Sequence, residues 1–455
     1  MTPPTAGRTA YTRASERGGG GGRGRVAVIG SGVSGLTAAY LLQRRYEVAL
    51  FEADPRLGGH AHTHDLPGRG GRPVAVDSGF IVHNLRTYPR LTRLFGELGI
   101  ATQETDMSMS VRCEGCGVEY AGARGLRGLF ARPNTALRPE YLRMLAEVKR
   151  FHRQARRLLS EPPGGPGPTL GDFLRAGGYS RFFADHFMVP LVSAVWSTGT
   201  ALVERYPARY LFRFLDHHGM LAVTGSPRWR TVVGGSRTYV ERAVKGLTAI
   251  HVSTPVRAVS RTADGVRIVD DAGDHYVADR VVVATHADQA LRLLADPTED
   301  ERAVLSAIPY SRNETLLHTD ASLLPKAHAA RGSWNYLLAG CSKRPARPAA
   351  ATAEGHGGGH AAVVSYHMNR LHRLDEPEDY LVTMNATERI RPERVLARML
   401  YEHPVYTPES VAAQARLPQL NTAVTAFAGA YHGWGFHEDG CASGVAAAEA
   451  FGVTW

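Results

Sequence analysis

The feature that most constrains the fold is the segment RVAVIGSGVSGLTAAYLLQRRYEVALFEAD at residues 25–54. Its first apolar stretch, VAVI, predicts a buried strand, and the next residues, GSGVSG, form a G-x-G-x-x-G loop. LTAAYLL then predicts a helix, and YEVALFEA predicts a second strand that ends in an acid, Glu52. This order makes a β-α-β unit of the kind that binds a dinucleotide. The sequence therefore predicts an α/β fold built on a parallel sheet.

Each of these residues suits dinucleotide binding for a physical reason of its own. Gly30 permits the tight turn, Gly32 lets backbone approach a pyrophosphate, and Gly35 lets the helix pack against the strand. Ser34 lies in the first helical turn, where free N–H groups point toward the phosphates. Glu52 can accept hydrogen bonds from both ribose hydroxyls and would repel a 2′-phosphate. We therefore expect these five residues to hold the cofactor.

The residues after Glu52 decide between a nicotinamide and a flavin. They read EADPRLGGH, with Arg56, Gly58 and Gly59 directly after the ribose acid. This E-x-x-x-R-x-G-G pattern resembles the flavin amine oxidase and phytoene desaturase superfamily. The resemblance implies FAD as the cofactor, with the arginine and both glycines along its phosphates and ribityl chain. The next residue is usually arginine in that family and is His60 here, which we also assign to the cofactor site.

Two further patterns raise the question of a metal ion. The histidines at positions 60, 62 and 64 alternate and could share one strand face, or they could form a loop beside the isoalloxazine. We prefer the loop, because no carboxylate is paired with them in the sequence. Cys113 and Cys116, in CEGC, have no second pair or histidine cluster near them in sequence to complete a zinc site. We therefore predict no metal site and interpret CEGC as a structural turn.

Other parts of the resemblance are spread along the chain. VVGGSRTYVERAV at 232–244 resembles the family's Gly-Gly segment that opens a helix. The segment 251–294 resembles its hairpin-and-strand region, where Val256 would reach the adenine through backbone groups. AFAGAYHG followed by EDGCASG resembles the second FAD half-site near the C-terminus. This half-site implies further cofactor-binding residues: Gly429, Gly433, Phe436, His437, Glu438, Asp439 and Gly440.

The same resemblance implies the fold class and the domain organisation. We expect an α/β protein in which a Rossmann-like FAD-binding domain of the GR2, amine-oxidase-like type is interleaved with an α+β substrate-binding domain. The FAD-binding domain is assigned to residues 25–100, 232–308 and 421–455, and the substrate domain to 101–231 and 309–420. Residues 1–24, rich in Gly and Arg, predict a disordered tail, and 342–360 predict a low-complexity insertion.

Within the superfamily, the chain resembles a bacterial group of NAD/FAD-binding, amine-oxidase-like proteins. The resemblance rests on stretches such as DSGFIVHNLRTYPRLTRLFGELGI, YSRNETLLHTDASLLP and AYHGWGFHEDG. Some members of that group desaturate methylated phospholipid acyl chains. The resemblance therefore implies an FAD-dependent oxidoreductase that removes a hydride from carbon and desaturates a fatty-acyl or lipid-like chain. O₂ or another acceptor would reoxidise the reduced flavin.

Oxidation of a C–N bond is the alternative reaction. Amine oxidases of the superfamily commonly hold a lysine near flavin N5, whereas the matching stretch, IPYSRNETLLHTDASLLP, contains none. Ala430 also stands where many of these enzymes have an acid. Both differences favour the acyl chain over the amine. A second alternative is a flavin- or lipid-binding protein without catalytic activity.

Desaturation needs a group that takes the second proton. The candidates are His437, Glu438 and His432, although Glu438 and Asp439 could also simply cap the last helix. The substrate side of the site is assigned to three further residues: Tyr431, Trp434 and His83.

Composition adds an expectation about partners. The net charge is +10, but basic residues interleaved with aromatics, as in nucleic-acid sites, are absent. Residues 138–159 predict an amphipathic helix with a basic face, which could contact a membrane surface or simply face solvent. We expect a cytoplasmic protein with peripheral contact at the inner membrane face, and the sequence leaves its oligomeric state open. The predicted buried face of this helix comprises Leu142, Leu145, Val148, Phe151 or His152, Ala155 and Leu159.

Overall fold

The computed structural model describes residues 23–455 except 163, 164, 166, 223, 224, 343–353, 356–358 and 361. Residues 1–22 of the predicted tail and most of the predicted insertion therefore lie outside the described residues. Within the described ranges, no helix is both long and apolar enough to cross a bilayer.

The strands and helices are named here in chain order. The strands are β1 (Arg25–Ile29), β2 (Glu47–Phe51), β3 (Thr63–Pro67), β4 (Pro73–Asp77), β5 (His83–Asn84), β6 (Thr102–Glu104), β7 (Met109–Cys113), β8 (Glu119–Ala121), β9 (Trp229–Val232), β10 (Ala249–His251), β11 (Val256–Thr262), β12 (Gly265–Asp270), β13 (His275–Ala278), β14 (Arg280–Val283), β15 (Tyr310–His318), β16 (Trp334–Leu338), β17 (Glu354–Gly355), β18 (Gly359–His360), β19 (Val363–His367), β20 (Leu381–Met384), β21 (Val395–Pro404) and β22 (Thr425–Phe427). The helices are α1 (Val33–Leu42), α2 (Pro89–Glu97), α3 (Gly125–Leu129), α4 (Pro139–Ser160), α5 (Leu170–Ala176), α6 (Arg181–Phe183), α7 (Val189–Trp196), α8 (Thr200–Val203), α9 (Ala208–His217), α10 (Arg237–Ala243), α11 (Ala287–Leu293), α12 (Glu299–Leu305), α13 (Met368–His372), α14 (Pro408–Gln414) and α15 (His437–Ala450). A π-helical turn, Ala184–Met188, connects α6 to α7.

The predicted Rossmann-like sheet is confirmed. Its strands lie in the order β10-β2-β1-β14-β22, and every neighbouring pair is parallel. The side chains of Val26, Val28 and Val281 to Val283 are fully buried, as expected for a parallel sheet covered on both faces. The strands come from the beginning, the middle and the end of the chain. The chain therefore leaves this sheet and returns to it, which is the interleaving that the sequence predicts.

Helix α15 packs against α1, the first helix of the β-α-β unit. The two helices approach closely because small residues face each other. A Cβ on Gly444 would lie 2.3 Å from the carbonyl oxygen of Ser34, and one on Gly440 would lie 2.6 Å from a methyl carbon of Val33. The C-terminal helix thus stabilises the first helix of the dinucleotide unit, and Gly440 serves helix packing.

A second, mixed sheet forms the other half of the molecule. Its order is β21-β15-β20-β19-β16-β7-β8, and its neighbouring strands are antiparallel except β16 and β7, which are parallel. Helices α3 to α9 build a helical region beside it, and the two share a core that includes Tyr141, Phe151, Phe212, Tyr336 and Val364. The predicted combination of an α/β cofactor domain with an α+β domain is therefore observed.

The predicted buried face of α4 needs a correction. Tyr141, Met144, Phe151 and Ala155 are fully buried, whereas Leu142 is 45% exposed. Glu147 is also buried, because its carboxylate accepts hydrogen bonds from the N–H and hydroxyl of Ser180 at the start of α6, at 3.0 and 2.5 Å. The buried face of α4 therefore includes Tyr141, Met144 and Glu147 and excludes Leu142, while Leu145, Val148 and Leu159 are half-buried.

Candidate active site

The glycine loop joins β1 to α1 at the carboxyl end of the parallel sheet. Gly30 has a φ of +98°, and its N–H donates to the carbonyl oxygen of Phe51 at 2.8 Å. A Cβ on Gly35 would lie 1.9 Å from the carbonyl oxygen of Gly30, so a side chain there is excluded. A Cβ on Gly32, by contrast, would meet no atom within 4 Å. The loop is therefore tightly packed at Gly30 and Gly35, whereas the space in front of Gly32 is open.

Glu52 follows β2 and is fixed by backbone and side-chain donors. Its Oε2 accepts from the N–H and hydroxyl of Ser31 at 2.9 and 2.5 Å, and its Oε1 accepts from the N–H of Asp54 at 3.0 Å. The Ser31 hydroxyl oxygen also accepts from the N–H of Gly58 at 3.0 Å. The side chain of Ser31 thus links the glycine loop to Glu52 and to the double-glycine segment. Gly58 contributes its backbone N–H to this link.

A cavity of about 640 Å³ extends from the glycine loop toward the second sheet. Its walls come from the carboxyl ends of β1, β2, β14 and β22, and from β16, β19, β20, β21, α7 and α9. The ends of parallel strands are where α/β proteins bind their ligands. The predicted site residues that line the cavity are Gly30, Gly32, Ser34, Glu52, Arg56, Gly59, His60, Val256, Gly429, Tyr431, Phe436 and His437.

Glu438 and Asp439, which the sequence assigns to the cofactor site, do not line the cavity, and neither does Glu438 as a predicted catalytic residue. The Glu438 carboxylate accepts from the N–H groups of Arg90 and Leu91 at 3.1 and 2.9 Å, and so caps α2. Asp439 accepts from the N–H of Phe436 at 2.9 Å, and its carboxylate covers Gly433, where a Cβ would lie 2.1 Å from Oδ1. Both acids therefore have structural partners.

Three further predicted site residues, His83, His432 and Trp434, also do not line the cavity. His83 and His432 are outside the lining, and burial lowers the pKa of each to about 4. Trp434 packs against Phe214, at 5.8 Å between ring centroids, while its carbonyl oxygen accepts from Nε1 of Trp196 at 2.9 Å. The carbonyl oxygen of Gly433 accepts from the hydroxyl of Tyr210 at 2.8 Å. This loop therefore joins the two halves of the molecule.

His437 is the predicted catalytic residue that does line the cavity. Its ring stacks on Phe80 with centroids 3.7 Å apart, and its Nε2 lies 3.2 Å from the hydroxyl oxygen of Tyr239. Burial lowers the pKa of His437 to about 3, so its imidazole is neutral at physiological pH. A neutral ring held in this way fixes the cavity wall, and its low basicity disfavours it as a proton acceptor.

The structure brings His60 together with two cavity histidines that the sequence did not single out, His286 and His403. The ring of His60 lies 5.3 Å from that of His403, and His286 Nδ1 lies 3.5 Å from Oε2 of Glu402. The ring of His286 also stacks on Tyr310 at 4.3 Å. Burial, followed by the nearby histidines, lowers the pKa of His60 well below its usual range. The cavity therefore contains a neutral imidazole at position 60 and an imidazole–carboxylate pair.

The end of the cavity toward the helical region is apolar. Aromatic and thioether side chains from separate elements line it: Trp196, Phe214, Met220, Trp229, Trp334, Tyr366 and Met384. Leu400 and Phe436 extend this surface, and Phe436 stacks on Phe214 with centroids 4.9 Å apart. Among the described lining residues there is no lysine.

Comparison with known proteins identifies the family. Residues 33–318, more than half of the chain, match the family described as flavin containing amine oxidoreductase. The chain belongs to this family. FAD-dependent oxidoreductases make up the family, and its cofactor, FAD, is the one that the E-x-x-x-R-x-G-G pattern implies.

Individual proteins are similar to this chain to different degrees. Coproporphyrinogen III oxidase from Mycobacterium leprae is 27% identical over 285 residues, which is 59% of this chain and 60% of that protein. Cyclohexylamine oxidase from Brevibacterium oxydans aligns with a TM-score of 0.67 at 15% identity, over 94% of this chain and 98% of that one. A fatty acid isomerase from P. acnes aligns with a TM-score of 0.60 at 17% identity, over 92% and 97%. At these identities the structures show a shared fold.

The residues of this flavoprotein fit FAD. Nη1 of Arg56 and Nε2 of His60 are buried at the cavity wall without a hydrogen-bond partner among the described residues. Buried polar atoms of this kind are normally satisfied, so these two indicate a polar ligand. The open space in front of Gly32 and the N-terminus of α1 suit a pyrophosphate, and Glu52 suits a ribose. The binding roles of the individual residues remain predictions.

Proposed function

We propose that this chain is an FAD-dependent oxidoreductase that removes a hydride from a carbon of a fatty-acyl or lipid-like chain and desaturates it. The apolar end of the cavity carries this proposal. Aromatic and thioether walls suit an alkyl chain, because they bury its surface and offer it few polar partners. The absence of a lysine among the described lining residues agrees with a substrate other than an amine in this family.

Bound FAD would supply the hydride acceptor. The protein's own contribution is to position the chain, exclude water and take the second proton. The proton acceptor that the geometry favours is His286, because the carboxylate of Glu402 lies 3.5 Å from its Nδ1 and would stabilise the protonated ring. The neighbouring His286, followed by Arg312 and Arg292, lowers the pKa of Glu402, so this carboxylate is charged. Of the candidates named from sequence, Glu438 and His432 do not line the cavity, and burial lowers the pKa of His437 to about 3.

Glu402→Gln is expected to slow anaerobic reduction of the flavin by about 100-fold, since a positioned base contributes on this order. The FAD content and the visible spectrum should not change. Glu314→Gln on the adjacent strand β15 is the matched control, because this glutamate is exposed and outside the cavity lining. Stopped-flow absorbance measures the rates. Equal rates for the wild type and Glu402→Gln would show that the pair is not the base.

The substrate would reach the site from a membrane surface. Three leucines, Leu126, Leu137 and Leu142, are 74, 84 and 45% exposed and form what we call the leucine patch. Leu126 lies on α3 and Leu142 on α4, and Leu137 lies two residues before α4. The two helices are in contact, because the hydroxyl of Tyr141 in α4 donates to the carbonyl oxygen of Leu129 at the end of α3, at 2.7 Å. Exposed basic residues flank the patch: Arg127, Arg143, Lys149 and Arg153. Each can contribute about 1 kcal/mol of attraction to an anionic bilayer.

The direct test uses the FAD-loaded protein and phosphatidylglycerol vesicles without oxygen. We expect the acyl chains to bleach the oxidised flavin and air to restore it. Leu137→Glu should slow bleaching by vesicles at least tenfold, by removing apolar contact and adding a negative charge. It should leave bleaching by the same lipid in detergent micelles unchanged. Leu396→Glu, at an exposed leucine on β21, is the control. If amines bleached the flavin and no acyl lipid did, oxidation of a C–N bond would replace the acyl-chain proposal.

A further inference from the structure

Outside the flavin cavity, four metal-ligating side chains converge. The thiols of Cys113, Cys116 and Cys341 and a ring nitrogen of His186 all lie within 4.8 Å of one another. Cys113, His186 and Cys341 are buried, and Cys116 is half-buried. None of the four lines the cavity. The sequence argument that CEGC lacks partners is therefore wrong, because the partners come from positions 70 and 225 residues further along the chain than Cys116.

The first two ligands lie on a turn that suits metal binding. Cys113 ends β7, and the turn to β8 returns through Gly117, whose φ is +73°. The N–H of Cys116 points at Sγ of Cys113 at 3.5 Å, and the N–H of Gly117 donates to the carbonyl oxygen of Cys113 at 2.9 Å. The C-x₂-C spacing thus directs both sulfur atoms to one side of a closed turn, as in structural zinc sites.

The other two ligands are held by contacts of their own. His186 lies in the π-helical turn, and its Nδ1 is 3.1 Å from the carbonyl oxygen of Phe182. A hydrogen bond from Nδ1 to this carbonyl leaves the lone pair of Nε2 directed at Sγ of Cys116, 3.2 Å away, which is the usual arrangement for a metal-bound histidine. The residue after Cys341, Ser342, donates its N–H to Oδ2 of Asp185 at 2.9 Å. The loop that carries Cys341 is thereby fixed to the turn that carries His186.

We propose that Cys113, Cys116, His186 and Cys341 bind one Zn²⁺ ion as a closed, tetrahedral Cys₃His site. With Zn–S distances near 2.3 Å, sulfur atoms of such a site lie about 3.8 Å apart, which the observed cluster reaches with small side-chain adjustments. Four protein ligands leave no open position for a substrate, so the ion is structural. Soft thiolates and an imidazole select zinc over magnesium or calcium.

The site would connect three parts of the substrate half. It joins the β7–β8 hairpin of the mixed sheet, the loop after β16 and the turn that leads directly into α7. The last residues of α7, Ala194 to Trp196, line the apolar end of the flavin cavity. The ion would therefore fix the position of a helix that shapes the substrate end, at a distance from the flavin chemistry.

Metal analysis of the full-length holoprotein tests the proposal. The protein is purified without a histidine tag and in a reducing buffer, so that column metal and oxidation do not interfere. We expect about one zinc ion per chain by mass spectrometry of the metal. Cys341→Ser and Cys116→Ser should lower this to below 0.2, about a fivefold loss, whereas Cys441→Ser should retain zinc. Cys441 lies in α15, away from the cluster, and is the matched control.

A second measurement does not depend on the folding of any variant. Wild-type protein from cobalt-supplemented medium should show red-region bands of tetrahedral Co²⁺ thiolate, where oxidised flavin does not absorb. Added zinc should displace these bands, and removing the metal with a chelator should lower Tm. The proposal would be overturned if wild-type protein with intact thiols contained neither zinc nor cobalt. Iron at this site would also overturn it, as would a mass about 2 Da lower that locates a disulfide between Cys113 and Cys116.

Discussion

Gly32→Ala is expected to prevent tight binding of FAD while the protein stays folded. The backbone of Gly32 has φ −62° and ψ 172°, which alanine adopts without strain, and its Cβ would meet no protein atom within 4 Å. The added methyl group would occupy the space in front of the helix N-terminus, where backbone must approach the pyrophosphate. We expect affinity for FAD to fall at least 100-fold, or about 2.7 kcal/mol. The loss of glycine as N-cap costs the fold only about 0.5–1 kcal/mol.

Titration of the apoprotein with FAD, followed by flavin fluorescence, measures this affinity, and circular dichroism measures the fold. Gly96→Ala is the matched control, because its Cβ also meets nothing within 4 Å and it lies in α2, outside the cavity lining. Gly35→Ala provides the opposite comparison, since its Cβ would collide with the carbonyl oxygen of Gly30 and should destabilise the fold itself. If Gly32→Ala bound FAD as tightly as Gly96→Ala, the pyrophosphate would not lie at this loop.

The cofactor half could be predicted from the sequence because its determinants are local. The strand, the glycine loop, the helix and Glu52 lie within residues 25–54, and each has a sequence pattern with one structural meaning. The double glycine follows directly and is joined to them through Ser31. Local patterns therefore predicted the β-α-β unit, and the family resemblance carried by the residues after Glu52 implied the cofactor, whereas β10, β14 and β22 of the sheet come from distant parts of the chain.

The chemistry of the substrate end could not be predicted in the same way. His286 follows β14 and Glu402 lies on β21, so only the folded chain shows that they form a pair. His186 and Cys341 approach the CEGC turn for the same reason. A short pattern such as HED does not show where its side chains point. The carboxylate of Glu438 points at α2 and that of Asp439 at its own loop, whereas the pattern alone suggested the cofactor. Side-chain direction over long sequence separations is a tertiary property.

The burial of Asp439 leads us to expect a large effect of pH on the free energy of unfolding. The burial of its carboxyl group raises its pKa from the ordinary 3.8 to about 7, against the opposing hydrogen bonds from Phe436 and Trp434. Between these two pH values the unfolded chain carries the charge and the folded chain carries the proton. Unfolding therefore releases a proton, and the free energy of unfolding falls as pH rises through this interval. At about 1.4 kcal/mol per pH unit, the loss amounts to roughly 4 kcal/mol.

Asp439→Asn should remove this pH dependence, because an amide keeps an oxygen that accepts from the N–H of Phe436 but does not ionise. We expect the variant and the wild type to have similar Tm at pH 4.5, and the variant to have the higher Tm at pH 8. Differential scanning calorimetry of FAD-saturated protein measures both. Asp375→Asn, at an exposed aspartate, should follow the wild type at each pH. A difference in Tm between Asp439→Asn and the wild type that stays constant with pH would show that Asp439 is already ionised in the folded protein, and that the N-terminus of α15 compensates for its burial.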